Sequence, residues 1–137
     1  MNCMCAEKWG AFAPAFLRVV TGAIFLAHGW QKVEGGVPGV SGFLGGLGFP
    51  APEFFAIVLI VAEVGGGILL ILGAWTHWVA KILAFVALVA LVTVHLKNGF
   101  TGTGGYEYIL LIFASSVSLM VSGAGKWSLD HKWLHKQ

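Results

Sequence analysis

Residues 17–32 read LRVVTGAIFLAHGWQK, an apolar run that carries an arginine, a histidine, a glutamine and a lysine. At about 100° per residue, Arg18, Thr21, Gly22, Phe25, His28, Gly29 and Lys32 fall within an arc of roughly 120°, so these polar groups share one helical face with two glycines. Such a face cannot look at lipid. A guanidinium in hydrocarbon costs at least a few kcal/mol, so the face must turn into a bundle and find an anion there.

The rest of the chain supplies that bundle. Its 137 residues are 58% hydrophobic and only 10% charged, with a mean hydropathy of +0.86. These values lie far from the globular norm and define an all-α integral membrane protein in a single four-helix domain over residues 1–137. The lysines are scattered and the net charge is +2, so nothing indicates a nucleic-acid surface. Cys3 and Cys5 stand in the N-terminal tail, where they cannot staple helices, and two thiols make an incomplete metal site. A signal-peptide reading, cut near Ala27–Gly29, would remove the polar face and leave three helices, so helix 1 is read as a membrane span.

Periodicity and punctuation place the helices at about 13–33, 53–75, 78–96 and 106–121, alternating up, down, up and down. Residues 34–52, EGGVPGVSGFLGGLGFPAP, are glycine- and proline-rich yet dotted with Val, Leu and Phe. They read as an irregular or interfacial segment roofing the bundle mouth. In helix 2, Glu63, Gly66, Gly67, Leu70 and Ala74 share a face on which a neighbouring backbone can approach closely. Small residues on helices 2 and 4 also leave room for a homo-oligomer. Lys8, Arg18, Lys81, Lys126, Lys132 and Lys136 fall toward the side of the termini and only Lys32 and Lys97 toward the other. Both ends are therefore expected in the cytoplasm, in a multi-pass protein of the cell membrane.

With the helices threaded this way, Arg18 and Glu63 differ by about 10 Å in depth, a gap that long side chains narrow. They form a candidate buried ion pair or proton relay. His28, Gln31, Lys32, His95 and Glu107 gather toward the outer face as a candidate cofactor pocket. No ligand spacing supports a metal, and a haem is not expected. A quinone fits better, because its carbonyls want a donor such as His or Lys, its reduction needs a proton, and its tail wants the Leu, Val and Phe surface. No nucleophile triad, phosphate loop or dinucleotide fingerprint is present, and the GGG of helix 2 is a packing strip.

The pieces LRVVTGAIFLAHGWQK (17–32), AEVGGGILLILGAW (62–75), H-x-x-x-G-F (95–100), GGYEY (104–108) and GAGKWSLD (123–130) together resemble the DoxX family of small four-helix membrane proteins. That family is named for a relationship to the membrane subunit of a thiosulfate:quinone oxidoreductase. Another member is similar to a subunit assembled with superoxide dismutase and a sulfurtransferase. The resemblance implies a quinone-linked role beside a peripheral or membrane redox partner, with Arg18, His28, Gln31, Lys32, Glu63, His95 and Glu107 as motif positions. The helices hold no cysteine, so thiol chemistry would come from a partner or from Cys3 and Cys5. The reading is therefore a membrane subunit of a quinone-linked oxidoreductase assembly, binding quinone or a small redox substrate near the outer leaflet. A non-catalytic scaffold for a peripheral redox enzyme and a small-solute or proton conduit are the alternatives.

Overall fold

A computed structural model of the chain describes residue 10 and residues 12–134, without the side chains of 133 and 134. The expectations placed on Cys3, Cys5, Lys8 and Lys136 lie outside the described residues. Helix α1 is Phe12–Gly46, α2 is Pro52–Leu72, α3 is Thr76–Ala90, α4 is Glu107–Ser122 and α5 is the short Leu129–Leu134. Helix α3 runs on through a π turn, Leu91–His95, and a 3₁₀ turn, Leu96–Asn98. Phe12–Gly46, Pro52–Leu72 and Thr76–Asn98 are each long and apolar enough to cross a membrane, and α4 is a shorter apolar helix. Phe16, Phe85 and Val121 expose 74, 66 and 79% of their surface. In a bilayer such outward side chains meet acyl chains, so this is a helical membrane bundle.

The segment 34–52, expected to be irregular or interfacial, is helical over 37–46. Gly36 alone breaks the run, with φ 71° and ψ 163°. Its position follows from Pro38, which removes an N–H and whose ring would collide with the carbonyl four residues back, while the glycine takes the turn without a Cβ penalty. Beyond the break, Val40 and Leu44 bury themselves with Ala56 of α2, against Val37, Phe49, Leu59 and Ile60. The arm thus clasps the first turns of α2.

Helix α2 starts on Pro52, whose missing N–H costs nothing there, with Glu53 in the positive-dipole first turn. It stops at Gly73 (φ 69°) in a Schellman turn: Ala74 N donates to Leu69 O and Gly73 N to Leu70 O, each at 3.0 Å. Helices α1 and α2 meet backbone to backbone. A Cβ on Gly67 would stand 2.7 Å from Leu26 N and 2.8 Å from Gly22 O, and one on Gly29 would stand 2.8 Å from Val64 N. Phe25, Leu70, Val79, Ala80, Leu83, Ala87, Ile112 and Leu119 form the core that joins the four helices.

Candidate functional site

The polar face of α1 divides between two ends of the bundle. Near the termini, Arg18 is 1% exposed. Its guanidinium donates from Nε to Ala124 O at 3.0 Å, from Nη1 to Leu70 O at 2.6 Å and to Ile71 O, and from Nη2 to Trp127 O at 3.1 Å. Leu70 and Ile71 close α2, where helical carbonyls run out of partners, so a fork of fixed donors matches an unmet need. The carboxylate of Asp130 acts on Arg18 electrostatically and caps α3, accepting from Trp75 N at 2.7 Å and Thr76 N at 2.8 Å. Asp130 N in turn donates to Gly73 O at 2.9 Å. Ser128 closes the turn, its hydroxyl donating to Gly125 O and accepting from His131 N. The stretch GAGKWSLD is therefore a latch that ties the ends of α1, α2 and α3 through Arg18.

The pairing of Arg18 with Glu63 is accordingly not formed. Glu63 pairs with Lys32, Nζ to Oε2 at 2.6 Å, with side-chain exposures of 8% and 27%. The antiparallel contact of Gly22 with Gly67 fixes the reason. It sets Gly29 against Val64 and brings Lys32 level with Glu63, while Arg18 lies beside the last turn of α2. Gly29 is required for this, because any side chain there would push α2 away from the pair.

Around this pair the structure gathers part of the expected outer cluster. His28 lies close enough to act electrostatically on Glu63, and its ring centroid is 6.3 Å from that of Tyr108 on α4. A lipid-facing groove of about 390 Å³ runs from these two rings along Val19, Val20, Ala23, Ile24 and Ala27 of α1. The other expected members stand apart from it. His95 Nδ1 shares a hydrogen bond with Gly104 O at 2.9 Å, which also accepts from Asn98 Nδ2 at 3.0 Å, so this histidine pins the glycine-rich turn. The side chains of Gln31 and Glu107 are exposed and, among the described residues, make no hydrogen bond or ion pair. Tyr108 carries no signal of its own in the sequence; its place one residue beyond Glu107 turns it toward His28 of α1. Among the described residues no group of three or more His, Cys, Asp or Glu is placed to share a metal ion.

A groove with an apolar floor and two polar rings at one end suits an amphiphile with a hydrogen-bonding ring and a hydrocarbon tail, and its volume is that of a small-ligand site. The residues present thus fit a quinone.

The family model for DoxX matches residues 13–96. A Bacillus subtilis protein named "Putative oxidoreductase CatD" is 37% identical over 114 residues, 83% of this chain and 81% of the relative. The inner membrane protein YphA of Escherichia coli is 30% identical over 96% of this chain and its own full length. The uncharacterized membrane protein Rv3486 of Mycobacterium tuberculosis is 31% identical over 85% of this chain and 78% of the relative. No solved structure matches. A family match across α1–α3, joined by relatives that align over nearly the whole chain, makes this multi-pass membrane protein a member of the DoxX family.

Proposed function

We propose that the protein is the membrane subunit of a quinone-linked oxidoreductase assembly and that the groove beside His28 and Tyr108 receives the quinone. The observation that carries this reading is the joining, at one spot, of an apolar lipid-facing groove, two hydrogen-bonding rings and a Lys32–Glu63 pair just behind them. A bound quinone supplies two-electron, two-proton redox chemistry. The chain's own groups orient it and handle protons. The Tyr108 hydroxyl and a ring N–H of His28 would donate to its carbonyl oxygens, with the Glu63 carboxylate, held by Lys32, close behind the imidazole. The apolar wall from Val19 to Ala27 excludes water along the tail, and entry is lateral, from the bilayer.

The printed name of the Bacillus subtilis relative supports an oxidoreductase setting. Electrons arrive from a separate redox protein. Both termini face the cytoplasm, on the strength of Lys81, Lys126 and Lys132 against Lys32 and Lys97.

Mass spectrometry of lipids extracted from the protein purified in mild detergent tests the proposal. Near-stoichiometric quinone is expected in the wild type and in Glu107→Gln, and is expected to be lost from a folded His28→Ala/Tyr108→Phe variant. Quinone absent from the wild type, or retained equally by the double variant, would overturn the groove as its site. Co-purification of a peripheral enzyme with no quinone would point to the scaffold instead.

A further inference from the structure

The end of the bundle that holds the termini carries a second concavity, of about 750 Å³, lined among others by Trp75, Thr76, Trp78, Ala124, Lys126 and Asp130. Two tryptophans at this end have left-handed backbones, Trp75 with φ 48° and Trp127 with φ 57°. That conformation is costly for a bulky side chain and persists only where the surroundings impose it. Here the latch imposes it: Trp75 N is bound to Asp130 and Trp127 O to Arg18. The result is outward projection. Trp75, Trp78 and Trp127 are 60, 63 and 79% exposed, the placement of amphipathic rings that lie at the level of lipid headgroups.

Among the described residues, cations outnumber acids at this end. Lys81 Nζ sits 4.3 Å from the ring centroid of Trp78, Lys126 Nζ sits 4.8 Å from that of Phe12, and Lys132 is exposed on α5. Asp130, the one described acid at this end, has both oxygens on the N-terminal amides of α3 and its charge opposed by Arg18. Among the described residues, Lys81, Lys126 and Lys132 thus have no carboxylate partner. Thr76 Oγ1, fully buried at its edge, has no hydrogen-bond partner.

We infer that this hollow is a binding site for one anionic glycerophospholipid, with the headgroup phosphate at Lys81 and Lys126 and the upper acyl chain against Trp75 and Trp78. It is independent of the quinone groove, which lies between α1 and α4 toward the other end. Charge complementarity selects the occupant: a zwitterionic lipid brings its own cation to the two lysines and gains nothing from them.

Native mass spectrometry of the full chain in detergent, titrated with phosphatidylglycerol or phosphatidylcholine, tests the site. The wild type and a Lys97→Gln control from the opposite end are expected to prefer phosphatidylglycerol by about thirtyfold for the first bound lipid, given two lysines at the surface. Lys81→Gln/Lys126→Gln is expected to bring that preference close to parity, and Lys126→Gln alone to reduce it severalfold if the double variant does not fold. Equal binding of the two lipids by the wild type, or an unchanged preference in the folded variants, would overturn the site. Displacement of the lipid by millimolar inorganic phosphate would overturn it too, since the hollow would then be a site for small anions.

Discussion

Substitution of Arg18 separates the two roles that its position allows. In the structure it serves four carbonyls, of which Ala124 and Trp127 belong to a connecting segment, whereas Leu70 and Ile71 belong to the last turn of α2. Arg18→Met leaves the α2 carbonyls short of a charged donor, at about 1.5–3 kcal/mol for each such bond. Leu70 O keeps its bond from Gly73 N, and burying a guanidinium has its own desolvation cost, now relieved. The net expectation is a loss of about 3 kcal/mol, or a melting temperature lower by roughly 6–12 °C for a chain of this size. Thermal melts and SDS titration in mixed micelles measure both. Arg18→Lys should recover little, because one ammonium cannot reach acceptors spread from Leu70 to Trp127.

Cycles between pairs of substitutions make the attribution sharp. Arg18→Met and Asp130→Asn should couple by about 1 kcal/mol or more, since both act on the latch, whereas Arg18→Met and Glu63→Gln should be additive within about 0.5 kcal/mol. Strong coupling of Arg18 with Glu63, or Arg18→Lys as stable as the wild type, would refute the latch and restore an ion pair or relay between them.

Two further outcomes follow from backbone contacts. Gly67→Val should prevent α1 and α2 from closing, because even a Cβ would meet Leu26 N at 2.7 Å; a folded monomer should be scarce on size-exclusion chromatography, while Gly65→Ala, which opens into empty space, should leave the yield unchanged. Gly36→Ala should lower stability by about 1–3 kcal/mol through its positive φ and should raise proteolysis between α1 and α2, with cleavage unchanged in a Gly39→Ala control.

How much of this was legible in the sequence depends on the range of the forces involved. The inward face of α1 is a local matter of period, and Arg18, Thr21, Gly22, Phe25 and Gly29 are all buried as their spacing requires. The partner of Glu63 is not local. Depth counted along each helix takes the helix starts to share a plane, but the first turns of α2 lie beside the arm 37–46, which puts Glu63 level with Lys32. The helical form of that arm is not legible in the sequence, because five of its residues, Pro38 and four glycines, mark turns in solution, whereas here Val40 and Leu44 are held by Ala56. The latch was out of reach for a simpler reason: Asp130 meets Trp75 and Thr76 across more than fifty residues, with no period to announce it.

The division of the polar groups between two ends bears on what each can do. A guanidinium whose three nitrogens each donate to carbonyls near helix ends has no proton to exchange, since its charge is permanent. Arg18 therefore does for the bundle what a cap does for one helix, and does it for three. The Lys32–Glu63 pair is different in kind. Lys32 is partly exposed, Glu63 faces His28, and Tyr108 comes from a helix that neither partner belongs to. These groups stand between a lipid-facing groove and the interior. A chain using its intramembrane charges only for register would need one such cluster, and the latch already supplies it. The second costs desolvation of an ion pair that stabilises little beyond what the Gly22–Gly67 and Gly29–Val64 contacts secure. That expense without structural need supports the proposal that the chemistry lies beside His28, while Arg18, the most buried charge among the described residues, ties helix ends together.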